Sequence, residues 1–206
     1  NNGSSVAVWT RHTEKLDRYD KDRMYPQLSD MRIPDSIEFD KDMRSVCSDK
    51  DVIMFAVPSL YVRGTVREAA PYIKNGQILV NVGKGIEADT LMTLTEVMED
   101  ELSRVGKTVR TVALSGPTHA EEVARDLPTT IVSSSRDMEA ARFIQDVFMN
   151  TCMRVYTNPD TKGVELCGAM KNIMALAAGM SQGLGYGDNT KAALITRGLA
   201  EIMRLG

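Results

Sequence analysis

The strongest constraint on the fold is a series of short apolar runs, each followed by a segment whose apolar residues have helical spacing. The clearest run, residues 51–57, is continuously apolar after its first residue and ends at Pro58, as expected of a parallel strand covered on both faces. Further strands are predicted at 6–9, 77–82, 109–114, 129–133 and 153–156. The alternation of these strands with helical segments predicts an α/β fold with a mostly parallel sheet.

The strand pattern stops at one point in the chain. After residues 158–159 the remaining residues up to 206 have only helical patterns. A change of this kind indicates a domain boundary. We therefore predict an α/β domain over residues 1–157 and the start of an all-α domain over residues 158–206.

Composition excludes several classes of protein. With 43% hydrophobic residues the chain can bury a core, and a net charge of -3 without a basic run argues against a nucleic-acid partner. Cys47, Cys152 and Cys167 have no CxxC spacing, so we expect no zinc site or other metal site and no disulfide framework, and we interpret them as packing residues. No run is long enough to cross a bilayer and no secretory leader is visible, so we expect a cytoplasmic protein.

Candidate ligand-binding residues follow two of the predicted strands near the N-terminus. Arg11 and His12 lie just beyond the first strand, where a cation favours the phosphate of NADP if this is the second strand of a dinucleotide fold. A solvated arginine at a strand end is the alternative. Tyr61 follows the turn at 58–59, at the strand edge where ligands bind in open α/β sheets, although a packing role is equally expected of a tyrosine there.

Two later turns have features of anion sites. Lys84 stands between Gly83 and Gly85 after a strand and is free to point at an anion, although Gly-Lys-Gly also occurs in plain loops. Residues 115–118 follow the next strand and are expected to open a helix, whose backbone N–H groups attract anions. Thr118 could equally serve as the cap of that helix.

A lysine stands in an otherwise small and apolar helical segment. Lys171, followed by Asn172, lies in the middle of residues 168–179. Burying an ammonium without a partner is costly and lowers the pKa of an amine, which is one way to obtain a base near neutral pH. The alternative is that Lys171 extends to solvent from a core helix. The glycines that follow (Gly183, Gly185 and Gly187) are expected to end the helix and form a loop close to a ligand.

Residues 168–189 resemble the signature of the NAD(P)-dependent glycerol-3-phosphate dehydrogenases, and four further motifs occur in the family's order, at 57–59, 82–87, 115–120 and 193–200. The sequence departs from the family pattern at Gln182, where an acid is usual, and at 27–29. The resemblance implies a Rossmann-like, doubly wound, mostly parallel sheet followed by an all-α substrate domain. It also implies interconversion of sn-glycerol 3-phosphate and dihydroxyacetone phosphate with NAD or NADP, feeding glycerophospholipid synthesis.

The resemblance assigns roles to individual residues. Lys171 is implied as the catalytic base. The implied substrate-binding residues are Lys84, Gly116, Thr118 and Asn172, and the implied cofactor-binding residues are Arg11, His12, Tyr61, Lys84 and Ala120. The implied partner is a small phosphorylated substrate, and a homodimer is a further expectation.

One hallmark of such enzymes does not occur in this sequence. There is no GxGxxG loop, which cradles the pyrophosphate in dinucleotide folds, and the chain resembles the middle of the enzyme with both ends missing. We therefore expect these residues alone to bind dinucleotide weakly and to have little or no activity. The alternatives are a related hydroxy-acid dehydrogenase and a catalytically idle dinucleotide-binding module.

Overall fold

The computed structural model describes residues 3–28 and 31–205, apart from the side chain of residue 27, and shows strands and helices in alternation. The strands are β1 (Val6–Val8), β2 (Ile37–Phe39), β3 (Val52–Phe55), β4 (Ile78–Asn81), β5 (Arg110–Ser115), β6 (Thr129–Ser134) and β7 (Met153–Asn158). The helices are α1 (Thr13–Asp22), α2 (Met43–Cys47), α3 (Ser59–Ala69), α4 (Leu94–Ser103), α5 (Ala120–Ala124), α6 (Met138–Phe148), α7 (Thr161–Gly183) and α8 (Asp188–Leu205). Single 3₁₀ turns occur at Pro26–Leu28 and Ala70–Tyr72.

The strands form a mostly parallel arrangement, as predicted. Five of them form one sheet in the order β3-β4-β5-β6-β7, in which only the β5–β6 pair is antiparallel. The remaining two, β1 and β2, form a separate parallel pair.

Helices cover both faces of the five-stranded sheet. Every residue of β4 is buried, which explains why its first three residues are apolar. Leu79 belongs to a core cluster that includes Val66 of α3 and Met98 of α4, whereas its neighbour Val80 belongs to a second cluster with Ile144 of α6. Because successive side chains of a strand point to opposite faces, these two clusters show that the sheet is doubly wound, as the resemblance implies.

Two short elements near the N-terminus were not predicted. The strand β2 has three residues and the helix α2 has five, so neither is long enough to produce a recognisable periodicity. The start of α2 is fixed locally, because the Asp42 side chain accepts a hydrogen bond of 2.9 Å from the Arg44 N–H.

The helical segment after β7 is confirmed, but α7 is much less buried than its composition predicts. Among its residues only Thr161, Glu165, Gly168 and Ser181 are buried. Large apolar side chains of α7 and α8 are exposed, namely Ile173, Leu176, Met180, Ile195, Leu199, Met203 and Leu205. Lys171 is half-buried, so the expectation of a lysine on a buried helix is not met. None of the described helices is long and apolar enough to cross a membrane.

The cysteines differ in their surroundings. Cys47 is buried in the core, and burial raises the pKa of its thiol. Cys152 is half-buried and Cys167 is exposed, so the interpretation of all three as packing residues is wrong for Cys167.

Candidate active site at the carboxyl edge of the sheet

The topology brings three of the predicted ligand-binding turns to one edge of the sheet. The strands β3, β4 and β5 are parallel neighbours, so their carboxyl ends meet there. The segment 58–61 follows β3, the turn 83–85 follows β4, and residues 116–118 follow β5. Ligands of open α/β sheets bind outside the carboxyl ends of the strands.

Two lysines and a threonine form the centre of this edge. The ammonium of Lys84 donates a hydrogen bond of 3.3 Å to Thr118 Oγ1. Burial lowers the pKa of Lys84, and the positive charge of Lys171 lowers it further, which places the two cations near each other. No ion pair joins either ammonium to a carboxylate within residues 3–28 and 31–205. This group, the Lys84–Thr118–Lys171 cluster, has the charge and the donors to bind an anion.

The turn that carries Lys84 is held tightly at both ends. The Asn81 side chain accepts a hydrogen bond of 2.9 Å from the Gly83 N–H and donates one of 3.2 Å to the Gly83 carbonyl. Gly85 has φ +148, and a Cβ added there would lie 2.7 Å from Ser59 Oγ at the start of α3. The Gly83–Gly85 turn therefore depends on glycine for both its conformation and its packing.

Residues 116–118 form a connecting turn and do not open a helix, so that prediction is wrong. The helix α5 begins only at Ala120, has five residues and has His119 at its N-cap. A proline disfavours helical conformation in the residue before it, and Pro117 therefore separates Gly116 from the helix. Thr118 is not the cap; its hydroxyl lies 3.3 Å from the Lys84 ammonium and 3.5 Å from the Gly116 carbonyl.

The helix α7 approaches this edge through a glycine. Gly168 is buried, and a Cβ added there would lie 2.6 Å from Ser115 Oγ at the end of β5. Lys171 follows three residues later on the neighbouring part of the helix surface. Its ammonium lies 3.3 Å from Asn172 Oδ1, and Asn172 is exposed.

The remaining predicted cofactor residues lie outside this cluster and are exposed. Arg11 forms an ion pair of 2.8 Å with Glu68 of α3, and His12 Nδ1 lies 3.4 Å from a carboxylate oxygen of Glu14. Tyr61 is 59% exposed, which disfavours a packing role, and Ala120 is exposed in the first turn of α5. Within the described part of the chain, no hydrogen bond or ion pair joins these residues to the Lys84–Thr118–Lys171 cluster.

An ion-pair network supporting the Lys84 turn was not predicted. Arg63 of α3 forms a bidentate pair with Glu87, at 2.6 and 2.7 Å, and also contacts Asp100 and Glu101 of α4. Arg63 holds the pKa of Glu87 at about 2. Glu87 lies three residues after Lys84, so the network attaches the far end of this loop to two helices. In the sequence these four residues resemble ordinary solvent-exposed charges, because their separations along the chain follow no pattern that would indicate contact.

A buried carboxylate on α7 was also missed. Glu165 is 6% exposed and accepts hydrogen bonds from the side chain of Asn81 and from Thr95 at the start of α4. Its sequence signal is a lone acid on the small-residue segment of the helix, six residues before Lys171.

Comparison with known proteins agrees with this geometry. Residues 1–141 match the family model described as NAD-dependent glycerol-3-phosphate dehydrogenase N-terminus, and residues 160–206 match the corresponding C-terminus model. The chain belongs to the NAD-dependent glycerol-3-phosphate dehydrogenase family.

Individual members of this family match the whole chain. It is 58% identical to glycerol-3-phosphate dehydrogenase [NAD(P)+] 2 of Lactobacillus delbrueckii, over 100% of this chain and 62% of the relative. It is 50% identical to glycerol-3-phosphate dehydrogenase [NAD(P)+] of Bacillus subtilis, over 100% of this chain and 59% of the relative. The crystal structure of glycerol-3-phosphate dehydrogenase from Coxiella burnetii superimposes with a TM-score of 0.87 at 32% identity, covering 98% of this chain and 61% of that chain. The chain thus spans about three fifths of the length of these relatives.

Proposed function

We propose that the complete protein carrying this chain interconverts sn-glycerol 3-phosphate and dihydroxyacetone phosphate with NAD or NADP. The observation that carries the proposal is the Lys84–Thr118–Lys171 cluster at the carboxyl edge of the sheet. Two neighbouring cations that form no ion pair with a carboxylate of the described residues suit a phosphorylated substrate, and the family relationship supports a nicotinamide cofactor.

The residues of the cluster divide the chemistry between binding and proton transfer. Lys84 and Thr118 hold the substrate by its anionic group, next to the close-packed backbone of Gly116, and Asn172 extends the polar surface beside Lys171. In the oxidative direction Lys171 takes the proton of the substrate hydroxyl. The substrate carbon that carries this hydroxyl loses a hydride to the nicotinamide and becomes a carbonyl carbon. In the reductive direction Lys171 returns that proton to the carbonyl oxygen.

The edge of the sheet also fits a dinucleotide. Tyr61 follows β3 and Lys84 follows β4, at the carboxyl ends of neighbouring parallel strands. Arg11 and His12 follow β1 of the separate β1–β2 pair, and Ala120 follows β5 at the start of α5. When bound, the nicotinamide supplies the hydride acceptor or donor, and the protein supplies orientation and the proton.

The test of the reaction is oxidation of NADH or NADPH driven by dihydroxyacetone phosphate, with the full-length protein. We expect Lys171→Met to lower kcat by about 10²–10⁴-fold, the usual contribution of a positioned acid or base, with little change in the Kd of the cofactor. Lys191→Met, in the exposed part of α8, is the matched control and should behave as wild type. Full activity of Lys171→Met would remove Lys171 from the mechanism.

The same assay separates the other readings of the site. Turnover with unphosphorylated hydroxy acids, and none with dihydroxyacetone phosphate, would indicate a related dehydrogenase of the same architecture. Cofactor binding without turnover on any of these substrates would indicate a binding module.

Cofactor preference is tested at Arg11. We expect Arg11→Gln to raise the KM for NADPH about 10-fold or more, because a hydrogen bond to a charged group contributes roughly 1.5–3 kcal/mol, and to leave the KM for NADH unchanged. Arg18→Gln on the solvated surface of α1 is the control. An equal effect on both cofactors would exclude a role of Arg11 in recognising the additional phosphate.

Three wider properties belong to this proposal. We place the boundary between the dinucleotide-binding and helical substrate domains at 157/158, at the last residue of β7 and before α7 begins. We propose a cytoplasmic location, and we propose a homodimer because α7 and α8 expose Leu176, Met180 and Leu199. Sedimentation of the full-length protein tests the dimer, and a monomer at micromolar concentration would contradict it.

A further inference from the structure

We propose that Glu165 is a positioning residue that sets Lys171 relative to Lys84. The proposal rests on the proposed function, because its catalytic consequence is the proton transfer by Lys171. Its structural part, the attachment of α7 to the turn that carries Lys84, can be tested without any activity measurement.

Glu165 is a buried acid whose oxygens are all engaged. One oxygen accepts hydrogen bonds from Asn81 Nδ2, at 2.9 Å, and from the Thr95 N–H, at 3.1 Å. The other accepts a hydrogen bond of 2.5 Å from Thr95 Oγ1. Thr95 lies in the first turn of α4, where the helix dipole favours a negative charge. These donors offset the cost of burying the carboxylate.

The bond to Asn81 continues into the turn that carries Lys84. The amide nitrogen of Asn81 donates to both Glu165 and the Gly83 carbonyl, and its amide oxygen accepts from the Gly83 N–H. Asn81 is 2% exposed, so no water can replace Glu165 without a change of structure. A continuous chain of hydrogen bonds therefore runs from α7 to the residue before Lys84.

The periodicity of α7 extends the same attachment to Lys171. Glu165, Gly168 and Lys171 are spaced i, i+3 and i+6, which places them along one ridge of a helix over a rise of roughly 9 Å. Glu165 is bound at one end of this ridge, and Gly168 lets the middle approach Ser115. Because Glu165 and Gly168 fix two points of α7, they also fix where the helix carries Lys171 relative to Lys84.

A buried ion is a poor source of net stability compared with well-packed apolar residues, so the main effect of these bonds is to define geometry. Geometry matters strongly here, because a displacement of about 1 Å at a reacting group can reduce a rate about 100-fold. Glu165 touches neither substrate nor cofactor in this arrangement, and its effect on kcat is exerted through the position of Lys171 relative to the Gly83–Gly85 turn.

Two substitutions separate hydrogen bonding from charge. In Glu165→Gln the amide oxygen can still accept from Asn81 and the Thr95 N–H, and its NH₂ can donate to the Thr95 hydroxyl, so we expect kcat within about threefold of wild type. In Glu165→Met the acceptors are lost at similar size, and we expect kcat to fall about 10–100-fold. Thr161→Val, one turn earlier on α7, removes a buried hydroxyl that has no hydrogen-bond partner in the described part of the chain, and is the matched control.

A double-mutant cycle in the full-length protein distinguishes positioning from a general loss of stability. If Glu165 acts through Lys171, Glu165→Met should not reduce the residual kcat of Lys171→Met any further. An equal loss in both backgrounds, or a wild-type kcat for Glu165→Met, would overturn the proposal. If Glu165→Met does not fold, Thr95→Val replaces it in the cycle. Thr95→Val removes only the hydrogen bond from Thr95 Oγ1 to Glu165, so it should lower kcat less, and this loss should also disappear in the Lys171→Met background.

Amide hydrogen exchange supplies the readout that is independent of activity. The Gly83 N–H is bonded to Asn81, so Glu165→Met should accelerate exchange in the 82–86 segment by about 10-fold or more, whereas Glu165→Gln and Thr161→Val should not. Unchanged exchange in Glu165→Met would refute the attachment itself. If the three variants show this exchange pattern but the wild-type protein shows no turnover, the proposed function fails and the attachment stands.

Discussion

The ion-pair network around Arg63 predicts a loss of stability that depends on pH. Arg63 contacts three carboxylates and its side chain is only 18% exposed, while those of Glu87 and Glu101 are 20% and 4% exposed. Arg63→Met removes the guanidinium but retains most of the aliphatic stem. At neutral pH this leaves Glu87 without its cation and close to two other negative charges, whereas Glu101 keeps Arg67 as a partner.

The magnitude follows from the pKa of Glu87, which the hydrogen bonds from Arg63 lower from 4.5 to about 2. A lowered folded-state pKa stabilises the protein above the unfolded-state value, and the stabilisation is lost as pH falls through the folded-state value. At about 1.4 kcal/mol per pKa unit, the contribution is about 3 kcal/mol at pH 7 and about 1.4 kcal/mol at pH 3. We therefore expect Arg63→Met to cost about 2–3 kcal/mol at pH 7 and about half as much at pH 3.

The assay is urea unfolding of both proteins at pH 7, 5, 4 and 3, followed by circular dichroism. Arg197→Met removes an exposed i,i+4 pair with Glu201 and is the control, with an expected change below about 0.5 kcal/mol at every pH. If Arg63→Met were as stable as wild type at pH 7, the network would not contribute as calculated. If its loss were the same at pH 7 and pH 3, lost packing of the arginine stem would be the cause instead of charge.

Two further predictions concern the backbone near the site and the cap of one helix. Gly116→Ala should destabilise the protein and reduce kcat at least 10-fold, because the added Cβ would lie 2.7 Å from the rigid Thr130 carbonyl. Gly64→Ala, which has open space around the added Cβ, should stabilise α3 by about 0.5–1 kcal/mol. Thermal unfolding together with activity assays checks both variants. Asp137→Ala should cost about 1 kcal/mol in urea unfolding without changing kcat, because the Asp137 carboxylate accepts a hydrogen bond of 3.0 Å from the Glu139 N–H at the start of α6.

Much of the fold could be predicted because its longer elements have clear periodicity. The sequence predicts a charged helix over about residues 138–148, which α6 occupies, and the five strands of the main sheet all lie at predicted positions. The apolar residues of 90–104 have helical spacing and predict a helix from 90, whereas α4 begins four residues later, where Thr93 and Glu96 form a capping box. The pair β1–β2 shows the limit, since the three residues of β2 become a strand only by pairing with β1.

The site could be predicted only in part, because its residues come from distant segments. The motifs around Lys84, Thr118 and Lys171 are visible in the sequence, and the structure brings them together. The sequence around Arg63 and Glu165 does not indicate their partners, because each contacts residues more than twenty positions away. Partners at such a distance are decided by the packing of helices on the sheet.

The two central cations come from opposite sides of the predicted domain boundary, and this has consequences for how a ligand acts on the fold. Lys84 belongs to the turn that follows β4 and Lys171 to α7, so their repulsion opposes the packing of α7 on the sheet edge. The lowered pKa of Lys84 records part of this cost. An anion bound between the two ammonium groups reverses the sign of the interaction, raises the affinity of Lys84 for its proton and strengthens the packing of α7. The hydrogen bonds of Glu165 and the close approach at Gly168 keep α7 in place before the anion arrives. Binding of the proposed phosphorylated substrate would therefore be coupled to the order of the helical segment through the same few residues.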